Sequence, residues 1–378
     1  MLELLPATGY QRFPVPPGPI DLTSYPRRGA TIAAALHDTR WNVDAWMARL
    51  GLTFGGQALT QFNVWGAIWN GVTPHLCWPV QQTVDGRWDL YKKNPLFFRR
   101  LRRAVEQANR YGVVPQLCFL ELYSFSDRKS VPFDRNLQPL RHNVNGVLFA
   151  GDDTWLVQKL AKGIGPEAAW LKWFIEQVVE ELRGLVYIVV PFNEGPEKPL
   201  HLLIARWVLQ ADPSVLVCVN RNDDTPGQYQ NHDVGDGLID LLAHHGWKSL
   251  AFLTKDFSPK ADPTRTPKEI ARAAARPWTF NEFFENRYHN GDAAGIDFAR
   301  VVVSSDGSRA SDDPIDTYDY EALEAVMAFC AKKGCNLEHQ SRAKMPRMMV
   351  NGVWRGWPTG DLASVEWPFL ERMEQLAA

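Results

Sequence analysis

Eight short apolar runs alternate with helix signals along this chain, and that alternation constrains the fold more than any other feature. The runs begin near Ala30 (ATIAAALH), Ala58 (ALTQFNVWG), Val113 (VVPQLCFLEL), Leu185 (LVYIVVPFNE), Ser214 (SVLVCVN), Ser249 (SLAFLT), Pro277 (PWTFNE) and Gly334 (GCNLEH). Most are continuously apolar, the mark of strands buried on both faces. Helix signals separate them, near Val43–Leu50, Pro95–Gly112, Pro166–Leu182, Pro199–Leu209, Leu238–His245, Pro267–Ala275, Tyr320–Lys333 and Leu362–Leu376. The second is the clearest. Phe97, Leu101, Ala104, Val105 and Ala108 fall on one face, Pro95 suits a first-turn position and Gly112 a stop. Eight such units predict an α/β chain folded as a (β/α)8 TIM barrel rather than a doubly wound sheet. Residues 1–28 are proline-rich and aperiodic, and are expected to form an N-terminal arm. Residues 29–378 are expected to form a single barrel, since no composition break marks a second domain.

Composition removes several function classes. Of 378 residues 45% are apolar, and the net charge is −2, so no strong field points to nucleic acid or a membrane. The densest basic cluster, Arg99-Arg100 with Arg102-Arg103, reads as a solvated helix face. No stretch reaches the roughly 18 apolar residues of a membrane helix. The first residues lack a basic start followed by an apolar region, so a cytoplasmic location, or export without a classical signal peptide, is expected. Five cysteines form no CxxC; Cys118 and Cys218 are expected as buried free thiols. With no HExxH, EF-hand loop, P-loop or GxGxxG, neither a metal nor a cofactor is expected. The fifteen tryptophans are many for this length. Their flat faces suit sugar rings, although packing accounts for most.

Barrel enzymes place their chemistry at the C-terminal ends of the strands. Two Asn-Glu dipeptides stand there: Asn193-Glu194 closes the fourth run and Asn281-Glu282 the seventh. In a closed ring these strands lie three positions apart, so both carboxylates can reach one mouth. Two opposed carboxylates are what glycoside cleavage requires, and such a pair splits its pKa values into an acid and an ionised partner. A helix cap or a rim ion pair is the other reading for either glutamate.

The same rule selects the remaining candidates, each with a structural alternative. His37, Asp38 and Arg40 follow the first run and can grip hydroxyls, or Asp38 and Arg40 can simply pair. Trp65, Trp69 and Trp78 follow the second, for stacking or packing. Glu121 ends the third, to bind substrate or pair with an arginine. His142, Asn143 and Asn145 lie on the loop beyond it, to bind substrate or fix the loop. Trp278 belongs to the seventh run, and Glu285 competes with Glu282 beyond it. Glu338 and His339 end the eighth and are expected to line the pocket. His244-His245 reads as a helix C-terminal cap.

With these residues assembled, the chain resembles clan A of the glycoside hydrolases, and its cellulase-like, family 5-like members in particular. The stretch DGRWDLYKKNPLFFRRLRRAVEQANRYGVVPQLCFLE is similar to their second and third units, and PLRHNVNGV resembles their Pro-Leu-Asn-Asn-Val-Asn-Gly loop after strand three. The likeness runs from about residue 30 to 340. It implies a retaining β-glycoside hydrolase acting on an oligo- or polysaccharide. Glu194 would be the acid/base, Glu282 the nucleophile, and Asn193 a ligand of the sugar 2-hydroxyl. The clan often carries a Tyr or His at the end of strand six. Here the expected strand six ends in Lys255 and Asp256 instead. That departure keeps a second reading open, a non-catalytic carbohydrate-binding barrel within a larger surface or phage-like assembly. A barrel enzyme of another class would need a different electrophile holder, for which Lys255 is the one strand-end lysine.

Overall fold

The computed structural model describes residues 27–31, 35–65, 77–121, 139–147, 158–193, 198–221, 241–245, 278–283, most of 324–340, 349–350, 353–354 and 367–376. In chain order its strands are β1 (Arg28–Thr31), β2 (Ala58–Asn63), β3 (Val80–Gln82), β4 (Trp88–Lys93), β5 (Val113–Glu121), β6 (Ile188–Asn193), β7 (Leu216–Arg221), β8 (Leu241–His245), β9 (Trp278–Phe283), β10 (Asn336–Gln340), β11 (Met349–Val350) and β12 (Val353–Trp354). The helices are α1 (Val43–Thr53), α2 (Pro95–Arg110), α3 (Gly165–Glu181), α4 (Lys198–Ala211) and α5 (Trp367–Gln375). Eight strands close a parallel barrel in the order β1-β10-β9-β8-β7-β6-β5-β2. The other four make two antiparallel hairpins, β3–β4 and β11–β12. Residues 1–26 of the expected arm lie outside the described residues, and its last residue, Arg28, already belongs to β1.

Local chemistry sets the helix starts. Asn42 Oδ1 accepts from the Ala45 N–H at 3.0 Å ahead of α1, and Asn94 Oδ1 from the Leu96 N–H at 3.0 Å ahead of α2. Pro95 then occupies the first turn of α2, whose face of Phe97, Leu101, Ala104, Val105 and Ala108 is buried as its spacing predicts. Gly112 ends the helix region at φ 70°, and a Cβ there would fall 2.1 Å from the Gly56 carbonyl oxygen, so only glycine fits.

Strand alternation sorts side chains between the barrel lumen and the helix layer. Ala30, Phe62, Leu117, Phe119, Val189, Val217 and Val219 face outward and join one large apolar body with the helices. Val114, Cys118, Ile188, Val190 and Cys218 form a second, smaller body inside the barrel. Polar groups fill another part of the lumen. There Thr31, Gln61, Gln116 and Glu338 are all buried. Gln116 Nε2 donates to Glu338 Oε2 at 3.1 Å, although β1 and β2 stand between their strands around the ring. That contact crosses the interior. Both expected cysteines, Cys118 and Cys218, are buried, and the Cys118 thiol donates to the Leu120 carbonyl at 2.9 Å.

Three expectations are corrected. Strand β1 is described over Arg28–Thr31, and residues 35–37, expected within the same strand, form turns. The cause is Arg100. Its guanidinium takes the carbonyls of Ala35 (2.6 Å), Leu36 (3.0 Å) and Asp38 (2.9 Å), and also that of Trp41, which removes them from any ladder. Arg100 is therefore a strut, not part of a solvated face. The sixth barrel strand is Leu241–His245, where a helix was expected, and Ser249–Thr254 lies outside the described residues. Between β2 and α2 stands the β3–β4 hairpin, turning at Asp85-Gly86 with Gly86 at φ 83°. No described helix is long and apolar enough to cross a membrane.

Candidate active site

The mouth of the barrel is defined by the C-terminal ends of the parallel strands. Asn193 is the last residue of β6, buried, and in register with Glu121, the last residue of β5. Glu194 comes next and lies outside the described residues. On the other side, Asn281 and Glu282 are the fourth and fifth of the six residues of β9. β8 lies beside β9 and ends at His245, in register with Asn281. Asn193 and the pair Asn281-Glu282 therefore stand at the mouth end of the barrel, on strands separated by β7 and β8.

The seam between β9 and β10 is irregular at this point. Leu337 pairs with Phe280 and His339 pairs with Phe283. Glu338 alone thus stands opposite both Asn281 and Glu282, a β-bulge on β9. On its other edge Glu338 is in register with Gly29.

The rim beyond β2 and β5 is built by two interlocked segments. The Trp88 N–H donates to the His142 carbonyl at 2.8 Å, and the Val144 N–H to the Trp88 carbonyl at 2.9 Å. Asn145 Oδ1 accepts from the Leu90 N–H at 2.7 Å, and its Nδ2 donates to Asp89 at 3.1 Å. Asn143 spans its own loop, donating to the Leu140 and Val147 carbonyls at 3.0 and 2.9 Å and accepting from the Asn145 N–H at 3.1 Å. Every one of these Asn143 and Asn145 bonds fixes the loop. His142 is exposed between them.

The residues after β1 are likewise committed to structure. His37 is fully buried, with Nδ1 at 3.2 Å from the Cys77 carbonyl and Nε2 at 3.0 Å from the Asn63 carbonyl. Burial pushes its pKa down to about 4, against the pull of those two carbonyls, so the ring is neutral at pH 7. A substrate-gripping role does not fit a ring enclosed in this way by Trp78 and Phe97. Arg40 forks onto Asp38, with Nε to Oδ1 at 2.9 Å and Nη2 to Oδ2 at 2.6 Å. The Arg40 side chain keeps 24% exposure, against 1% for Asp38.

Three further expectations shift. Trp65 has no exposed surface and packs edge-on against Trp170 and Phe174, with centroids 4.8 and 5.3 Å away, so it belongs to the core. Trp78 is buried beside it, at 5.7 Å. Trp278 is the first residue of β9, at the opposite end of the strand from the mouth. Glu338 is not a surface residue of the pocket. It sits two residues before the end of β10, wholly buried, held by Thr31 Oγ1 and Gln116 Nε2. His339 follows it, in register with Ala30 and Phe283. Trp69, Glu285, Lys255 and Asp256 lie outside the described residues.

The residues missed are His244 and His245. They end the sixth barrel strand at its mouth, not a helix. LLAHH is a five-residue apolar run, short enough to read as strand or helix, and the apolar spacing of Leu238, Leu241 and Leu242 favours the helix. Among the described residues no group of three or more His, Cys, Asp or Glu could hold a metal ion.

No protein-family model and no curated protein sequence matches the chain. Solved structures do. A glycoside hydrolase family 5 mannosidase from Rhizomucor miehei, in complex with mannosyl-fructose, aligns over 93% of both chains with a TM-score of 0.54 and 14% identity. The fold is that of family 5 glycoside hydrolases. A GH5-4 broad specificity endoglucanase from an uncultured bacterium aligns over 93% of this chain and 94% of its own, with a TM-score of 0.53 and 7% identity. Another mannosidase structure from Rhizomucor miehei covers 94% of each chain at 12% identity, with a TM-score of 0.54.

Proposed function

We propose that this protein is a retaining β-glycoside hydrolase that cleaves an oligo- or polysaccharide with two glutamates. The observation that carries the reading is the placement of Asn193 at the mouth end of β6 and of Asn281-Glu282 at the mouth end of β9. Glu194, one residue past β6, protonates the leaving oxygen while Glu282 attacks the anomeric carbon. The carbon–oxygen bond to the leaving sugar breaks and a glycosyl ester forms on Glu282. Water then attacks the same carbon, giving its proton to Glu194, and the ester is released with net retention. Asn193 holds the 2-hydroxyl. His245 or His244, at the end of the neighbouring strand, takes the place of the Tyr or His that the clan often presents to its nucleophile. The fold neighbours are named for mannosides and glucans, so β-mannosides and β-glucosides are the first substrates to try.

Wild-type protein should release aryl alcohol from an aryl β-mannoside or β-glucoside, with the β-anomer as first product by NMR. Glu194→Gln and Glu282→Gln should each lower turnover by at least about a hundredfold. A 2-deoxy-2-fluoro glycoside should label Glu282, read by peptide mass spectrometry. Label on Glu285 would move the nucleophile there, and full turnover in both Gln variants would refute the two-glutamate mechanism.

A further inference from the structure

We propose that Glu338 is a positioning residue that sets the aim of Glu282 by bracing the bulge in β9. This rests on the reading of Glu282 as nucleophile and goes beyond it.

Three observations lead there. Glu338 lies in a barrel interior, where branched apolar side chains are the usual filling. A carboxyl group in that place costs desolvation unless its oxygens are hydrogen-bonded. Here both are engaged: Oε1 accepts from Thr31 Oγ1, and Oε2 from Gln116 Nε2 at 3.1 Å. The two donors come from different walls, Thr31 from the adjacent β1 and Gln116 from β5 across the lumen. The side chain therefore fixes the height and tilt of β10 at one residue.

That residue is the one opposite the bulge. Between the pairs Leu337–Phe280 and His339–Phe283, β9 advances three residues while β10 advances two. Strand side chains alternate with a period of two, so one inserted residue reverses the facing of every residue beyond it. The bulge, at Asn281-Glu282, is thus the point at which the alternation along β9 is set. Its location depends on what holds β10 against it, and the β10 residue opposite it is Glu338. On the far edge the partner is Gly29, whose lack of a Cβ lets β1 approach β2 closely.

The test compares Glu338→Leu, which fills the space without accepting a hydrogen bond, with Glu338→Gln, which can still join Thr31 and Gln116 once the Gln116 amide rotates. Gln116→Leu removes one brace from the opposite wall. With an aryl glycoside, Glu338→Leu and Gln116→Leu should lose about ten- to a hundredfold in kcat with KM nearly unchanged, while Glu338→Gln recovers most of kcat. Sites are counted by 2-fluoro glycoside titration, so a partly unfolded sample does not mimic the effect. Hydrogen exchange reads the same device without turnover: peptides over 278–283 should exchange faster in Glu338→Leu, while those over 188–193 stay as in wild type. Unchanged kcat per site in Glu338→Leu, or unchanged exchange at 278–283, overturns the positioning role. Loss of activity in Glu282→Gln beside full activity in Glu338→Leu would sink this proposal alone. Full activity in Glu282→Gln would sink the nucleophile assignment instead, and the exchange result would then judge the brace by itself.

Discussion

A Cβ on Gly29 would fall 1.7 Å from the carbonyl oxygen of Leu59. The two strands concerned, β1 and β2, are neighbours in the ring, with Gly29 and Leu59 in register. The atom in the way is backbone, which cannot rotate aside. Gly29→Ala should therefore force β1 away from β2 and cost about 1–3 kcal/mol by overpacking. Urea denaturation checks it: the midpoint should fall with little change in slope. A wild-type midpoint would mean that the seam is looser than this contact implies.

A second strut closes the same region from outside. Arg100 on α2 gathers the carbonyls of Ala35, Leu36, Asp38 and Trp41. Removing a charged donor from buried acceptors costs about 2–3 kcal/mol. Arg100→Met should lose that much, and Arg100→Lys should recover little, because an ammonium cannot spread its donors as the planar fork does. Faster hydrogen exchange over residues 35–41 in both variants is the expected signature.

What could be read in the sequence depends on whether the determining contact is local. The runs at Val113 and Leu185 are long and mostly apolar, and each became a barrel strand at nearly its expected place, as did those at Ala58 and Pro277. The Asn-Glu dipeptides stand out for the same reason, as polar pairs ending apolar runs. The first strand was overestimated because its continuation is prevented by Arg100, more than sixty residues away in sequence. β8 was misread because five residues carry too little periodicity to separate strand from helix. The polar lumen was illegible altogether. Gln116 and Glu338 meet only once the ring has closed, and a one-residue bulge leaves no mark in local composition. Asn143 and Asn145 carried two readings, and only the hairpin packed against them favours the structural one.

That last pair gives a prediction that separates the two readings. Asn143→Ala removes donors from two carbonyls and an acceptor from the Asn145 N–H. If the side chain fixes the loop, the variant should lose about 1–3 kcal/mol and become sensitive to protease within residues 139–147. KM for an aryl glycoside should change little. A raised KM at unchanged stability and unchanged proteolysis would instead mark Asn143 as a substrate ligand.

Acid should act through His37. Its folded pKa is about 4, below the ordinary 6.5, because burial opposes the charged ring. Between those values the unfolded chain takes up a proton that the native chain refuses. Stability contributed by the neutral ring is thus whole above pH 6.5, falls as the pH drops toward 4, and is gone below it. Over the window from pH 7 to 4.5 the loss from this one residue is about 2 kcal/mol. His37→Phe keeps the packing against Trp78 and Phe97 and cannot titrate. A neutral ring carries one N–H, so the variant forfeits one hydrogen bond, to the Cys77 or the Asn63 carbonyl, at both pH values, and that cost cancels when the two are compared. The difference in unfolding free energy between pH 7 and 4.5 should therefore be about 2 kcal/mol smaller in His37→Phe than in the wild type. Equal differences in the two proteins would show that His37 takes up its proton in the folded state as readily as in the unfolded one.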